Sequence, residues 1–79
     1  MMIQVKLIAT YRDHLPPDAK NGVVELNVPD GTTVREAISR FGIPMDDTSV
    51  IVLNGLTVDL ETLLTEGDTV TAFSAIAGG

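Results

Sequence analysis

The sequence holds one strong helix signal, and nearly everything around it reads as strand or turn. Thr33-Val34-Arg35-Glu36 has the form of a capping box, in which the Thr33 hydroxyl takes the Glu36 amide while Glu36 reaches back to the start of the helix. Val34, Ala37, Ile38 and Phe41 then recur at i, i+3, i+4 and i+7, which is one helical face; Arg35, Glu36, Ser39 and Arg40 are left for solvent. Gly42 offers a left-handed stop, and Pro44 forbids continuation. A lone helix with a single apolar stripe must bury that stripe against some other element, and here the only other elements are strands.

Those strands are read from alternation. From Met2 to Tyr11, Ile3, Val5, Leu7 and Ala9 fall on one side and Gln4, Lys6 and Thr10 on the other, with Ile8 an apolar exception on the polar side. Arg12 to Asn21, with Pro16-Pro17, reads as a wide loop, and Gly22 to Val28 resumes the alternation until Pro29-Asp30-Gly31 ends it. After the helix, Ser49 to Leu53 is a continuous apolar run, expected as a buried strand. Asn54-Gly55 matches a type I′ hairpin turn leading to a short strand over Leu56-Thr57-Val58. Asp59 to Thr65 has the leucines for one helical turn, and Thr69 to Ala75 is expected as the last strand, with Val70 and Ala72 inward. The final strand is expected beside the first. This order predicts an α+β, β-grasp (ubiquitin-like) fold, a mixed sheet of four to five strands on one main helix. A single domain is expected over residues 1–79, with a flexible tail over 76–79.

Composition narrows the function. The 79 residues include no cysteine, so disulfides, thiolate metal sites and iron–sulfur clusters are excluded. The net charge of −6 disfavours nucleic acid, whose phosphates repel it, and suits a basic protein partner. No apolar run is long enough to span a bilayer, and the first residues lack the pattern of a signal peptide, so a cytoplasmic protein without membrane contact is expected. No glycine is followed by lysine, so there is no P-loop for nucleotide. The only histidine, His14, has no second ligand nearby. Asp46-Asp47 and Asp59-Leu60-Glu61 lack calcium-loop spacing and read as loop caps and solvated acids. No catalytic, cofactor-binding or metal-ligating residue is expected on this chain.

The sequence Ile76-Ala77-Gly78-Gly79 is what remains with distinctive chemistry. Without Cβ atoms, the terminal glycines leave the last carbonyl open to attack. A free α-carboxylate is ionised at neutral pH, with a pKa of about 3.5, and is a poor electrophile unless a partner activates it. Extended, these four residues reach about 13 Å, at ~3.3 Å per residue, enough to enter a cleft while the domain stays outside.

In order and spacing, several segments resemble the MoaD/ThiS group of ubiquitin-like sulfur carriers, which comprises the small subunit of molybdopterin synthase, the thiamine-pathway carrier and their relatives. The matching pieces are Met2-Ile3-Gln4-Val5, Gly31-Thr32-Thr33-Val34-Arg35-Glu36-Ala37, Val52-Leu53-Asn54-Gly55, Glu66-Gly67-Asp68-Thr69-Val70 and the tail. The resemblance implies a carrier rather than an enzyme. An ATP-dependent adenylyltransferase resembling the ubiquitin-activating enzyme would join AMP to Gly79, with Gly78, Ala77 and Ile76 threading into that partner. A sulfur donor would then make a thiocarboxylate, and a sulfur-accepting synthase subunit would use it in cofactor biosynthesis. The long Arg12–Asn21 loop is similar to the molybdopterin branch, which is favoured over the thiamine branch; the short Gly42-Ile43-Pro44-Met45 passage is similar to the latter. Two alternatives stay open: a protein modifier joined through Gly79 to lysines, and a non-covalent β-grasp binding module. If Val70 and Ala72 face the core, Phe73 and Ile8 face outward on adjacent strands, which predicts an exposed partner-docking patch near the tail.

Overall fold

The computed structural model of the chain describes residues 1–75. Its elements are β1 (Met2–Leu7), a 3-10 turn (Ala9–His14), β2 (Val23–Asn27), α1 (Val34–Ser39), β3 (Ser49–Leu53), β4 (Leu56–Thr57) and β5 (Thr69–Ser74). The sheet order is β2-β1-β5-β3-β4. β5 lies between β1 and β3, parallel to the first and antiparallel to the second. This is the β-grasp architecture, and the expected neighbourhood of first and last strands is observed.

The core lies between one sheet face and α1. In β1 the alternation buries Ile3, Val5 and Leu7; β5 contributes Val70 and Ala72, and α1 contributes Val34, Ala37 and Ile38. Val5 pairs with Val70 and Leu7 with Ala72, so the two central strands share their inward face. All of these side chains are at most 1% exposed. The helix begins as expected, with both halves of the capping box formed between Thr33 and Glu36. It ends sooner: Arg40 is its C-cap, Gly42 adopts φ +68°, and Phe41 is half-buried against the core.

The elements depart from expectation in several places. The first strand stops at Leu7 rather than Tyr11, because Ala9 takes φ +55° and turns the chain into the 3-10 segment that buries Tyr11. Residues 59–65 form no helix, only a single turn closed by the Thr62 amide on Asp59 O at 3.3 Å. Their carbonyls are used by α1 instead: the Val34 amide donates to Thr62 O and the Arg35 amide to Leu60 O, each at 2.9 Å. Those amides would otherwise be orphans of the helix start. Leu64 is buried as a result, while Leu63 is 61% exposed. In β3 only Ile51 is buried, and Val50 and Val52 are half-buried, since no second layer covers the outer sheet face. The return strand is confined to Leu56–Thr57, so Val58 lies beyond it. A second Asn-Gly turn, at Asn21-Gly22 with φ +54° and +79°, closes a tight pairing of Lys20 with Val23 inside the wide loop.

Candidate functional site

Ile76, Ala77, Gly78 and Gly79 lie outside the described residues, so the site is built from the ground they leave. Near the end of β5, pairing carries three apolar side chains into one row on the outer face. Phe73 is opposite Val50. Leu7 is opposite Ala72, and the Ile8 amide continues that ladder by donating to Ala72 O at 3.2 Å. Ile8, in extended conformation, therefore sits beside Phe73. The outward direction expected for both is what the pleat gives. Their exposure is not: both are half-buried, because neighbours on three strands shield one another. Val50 completes the row and is missed by a reading that treats its whole strand as buried. The tertiary signal for it is register alone. One level away, the face turns more polar, with Lys6, Thr71, Val52 and Thr57 in line.

The loop before β3 supports the end of β5. The Asp46 carboxylate accepts the Thr48 amide at 2.8 Å and the Thr48 hydroxyl, and the Thr48 hydroxyl lies 3.3 Å from that of Ser74. These bonds, first from the Thr48 hydroxyl and then from its amide, hold the Asp46 carboxyl below the ordinary value of 3.8. The sequence reading of Asp46 as a loop cap holds; its link to the end of β5 was not visible. Asp59 likewise accepts the Glu61 amide at 2.9 Å, and Glu61 pairs with Arg35 at 2.7 Å. Both partners of that pair are well exposed, which makes it worth at most about 1 kcal/mol. The His14 ring meets Phe41 O at 3.2 Å and the Tyr11 ring edge-on. Among the described residues, no group of three or more His, Asp or Glu could hold a metal ion, and no helix is long and apolar enough to cross a membrane.

Charge is divided along the chain. Lys6, Arg12, Lys20, Arg35 and Arg40 are all of its Lys and Arg; the sequence after Arg40 carries only acids, Asp46, Asp47, Asp59, Glu61, Glu66 and Asp68. The part of the sequence that includes β3, β5 and the tail is thus purely acidic, and Asp46 flanks the point where β5 ends.

A five-stranded mixed sheet on one helix, with its last strand central, defines a ubiquitin-like β-grasp domain. The chain belongs to the Mut7-C ubiquitin family, whose model matches residues 1–77. SAMP1 from Haloferax volcanii shares this fold with a TM-score of 0.78 at 19% identity, over 100% of both chains. A putative molybdopterin converting factor subunit 1 from Pyrococcus furiosus is 25% identical, with a TM-score of 0.72 over 95% of this chain and 98% of that one. The complex of subunits 1 and 2 of the molybdopterin-converting factor from Helicobacter pylori contains a chain of the same fold, at 20% identity and a TM-score of 0.63 over 100% of both chains. No curated protein matches the sequence. The resemblance to the MoaD/ThiS group read from the sequence holds.

Proposed function

We propose that this chain is a single-domain sulfur carrier, acting in the cytoplasm through the α-carboxylate of Gly79. A carboxylate oxygen attacks the α-phosphorus of ATP on an adenylyltransferase partner, and pyrophosphate leaves. The resulting acyl adenylate has AMP as a good leaving group. Sulfide released by a sulfur donor attacks the acyl carbon, AMP departs with the bonding pair, and loss of the sulfhydryl proton leaves a thiocarboxylate for a synthase subunit to use. This chain supplies no catalytic group; it binds no nucleotide and presents a carbonyl that no side chain hinders. The observation that carries the reading is where β5 delivers the chain: past Ala75, beside the Ile8–Phe73–Val50 row, with Ile76-Ala77-Gly78-Gly79 as the remaining sequence. The row is the docking patch, and the acidic flank suits a basic partner surface.

Similarity to the molybdopterin converting factor subunit supports molybdopterin over thiamine as the destination of the sulfur. Similarity to SAMP1, the small archaeal modifier protein 1 of Haloferax volcanii, supports a second reading, in which a lysine amine attacks the same adenylate, AMP leaves, and an isopeptide bond forms. Both need the carboxylate of Gly79 to be free. Appending one alanine after Gly79 should abolish ATP-dependent modification in host extract while leaving thermal unfolding unchanged. Modification that persists in the extended chain contradicts both readings.

A further inference from the structure

The pairing that holds β5 ends at different levels on its two sides. Toward β1 the ladder closes with the Ile8 amide on Ala72 O, after which Ala9 turns the chain away. Toward β3 it runs on through Ser49–Ser74 to the Ala75 amide, which donates to Thr48 O at 2.7 Å. Thr48 is therefore the residue against which the chain leaves the sheet.

Thr48 is itself held by a connected series of bonds. Its amide and hydroxyl both go to the Asp46 carboxylate. The Asp46 backbone closes on Ser49, with the Ser49 amide on Asp46 O at 3.0 Å and the Asp46 amide on Ser49 Oγ at 3.1 Å. Ser49 Oγ meets the hydroxyl of buried Tyr11 at 2.6 Å. The series runs from the core, through an exposed loop, to Ser74 at the end of β5 and to Ala75 beyond it. Tyr11, at its inner end, is a member of the buried core, whereas Asp46 and Thr48 are not.

We infer that Asp46 and Thr48 are positioning residues that hold the root of the tail, at Ser74 and Ala75, in the direction from which residues 76–79 enter the activating partner. The inference rests on the reading of Gly79 as the activated group. A root already ordered in the free chain leaves less to order on binding, so the benefit falls on association rather than on chemistry. Once the tail is seated, the partner holds it, and the chemical step no longer depends on the clamp. Neither residue touches the reacting atoms.

The test uses the full chain with Thr48→Val, which deletes the hydroxyl but keeps the branched shape and the backbone carbonyl, and with Thr48→Ser, which restores the hydroxyl. Exchange of the Ala75 amide is followed in each, together with the initial rate of thiocarboxylate formation against carrier concentration in a fixed host extract with ATP and sulfide. Thr48→Val should speed Ala75 exchange by about tenfold. It should raise the apparent KM by roughly five- to tenfold with the maximal rate unchanged. Thr48→Ser should restore both. Unchanged exchange, or faster exchange with an unchanged KM, overturns the inference while the activation reading stands. A wild-type chain left unmodified by an extract active on another carrier overturns the activation reading and, with it, this use of the clamp.

Discussion

Asn54 and Asp68 join the hairpin turn after β3 to the turn before β5: Asn54 Nδ2 donates to Asp68 Oδ1 at 2.9 Å, while Asn54 Oδ1 accepts the Thr69 amide at 2.9 Å. The same carboxylate accepts the Thr65 amide at 2.8 Å and the Thr65 hydroxyl at 3.1 Å. Asp68 is only 8% exposed, so removing a partner leaves buried polar atoms unpaired. Asn54 also holds φ +50° in the hairpin turn, which glycine adopts without strain. Asn54→Gly should therefore keep the turn and lose the side-chain bonds, at a cost of about 1–3 kcal/mol. In urea unfolding, the double variant with Asp68→Ala should cost less than the sum of the singles by more than about 0.5 kcal/mol. Additive losses would show that the two residues act separately.

Burial pushes the Asp68 carboxyl up, but the Thr65 amide, the Asn54 carboxamide and the Thr65 hydroxyl outweigh it and hold it below 3.8. A carboxyl lowered in the folded state contributes stability that is complete above its unfolded value and is lost as pH falls through the folded one. The stability gap between wild type and Asp68→Ala should thus be full at neutral pH and narrow below 3.8. Urea midpoints at neutral pH and at about pH 2 measure it. A gap that stays constant across this range would contradict the assignment.

Ile38, on the buried face of α1, is 1% exposed, whereas Leu56 in the edge strand β4 is 71% exposed. Ile38→Ala should cost about 2–5 kcal/mol, from lost burial and the cavity left behind. Leu56→Ala should stay within about 0.5 kcal/mol. Thermal and urea unfolding of the two variants compare them directly; equal losses would mean that the core is not where α1 meets β1 and β5.

Phe73 lies outside that core, on the uncovered face beside Ile8 and Val50. Phe73→Ala should weaken capture by the activating partner by about tenfold, the effect of an anchor worth more than about 1 kcal/mol. Its unfolding midpoint should change little. Affinity left intact beside a large loss of thermal stability would return Phe73 to a structural role.

The parts of this fold that are legible in the sequence are those specified locally. The Thr33–Glu36 capping box, the Val34–Ala37–Ile38 stripe, the Asn54-Gly55 turn and the alternation of Ile3, Val5 and Leu7 each carry their own chemistry within a few residues. Placement of β5 beside β1 followed from the need to bury one helical face. What escaped the sequence depends on partners far along the chain. The Asp59–Thr65 segment has leucines suited to a helix, yet its carbonyls cap α1, and that demand is invisible from the segment itself. Val50 reads as interior because its neighbours are apolar, but whether a strand is covered on one face or both is a property of layers. Asn21-Gly22 carries the same turn signal as Asn54-Gly55, but the residues before it lack strand alternation. For the site, the outward direction of Phe73 and Ile8 is legible; the Asp46–Thr48–Ala75 clamp is not, since it joins two strands through a loop.

The measurement that bears most directly on the central claim is the intact mass of the chain after incubation with host soluble extract, ATP and a thiol-alkylating reagent. With no cysteine in the sequence, no side-chain thiol competes for the label. One ATP-dependent alkyl adduct is expected, mapping to the peptide that ends in Gly79. An unlabelled chain, in an extract that labels a known carrier, would contradict it.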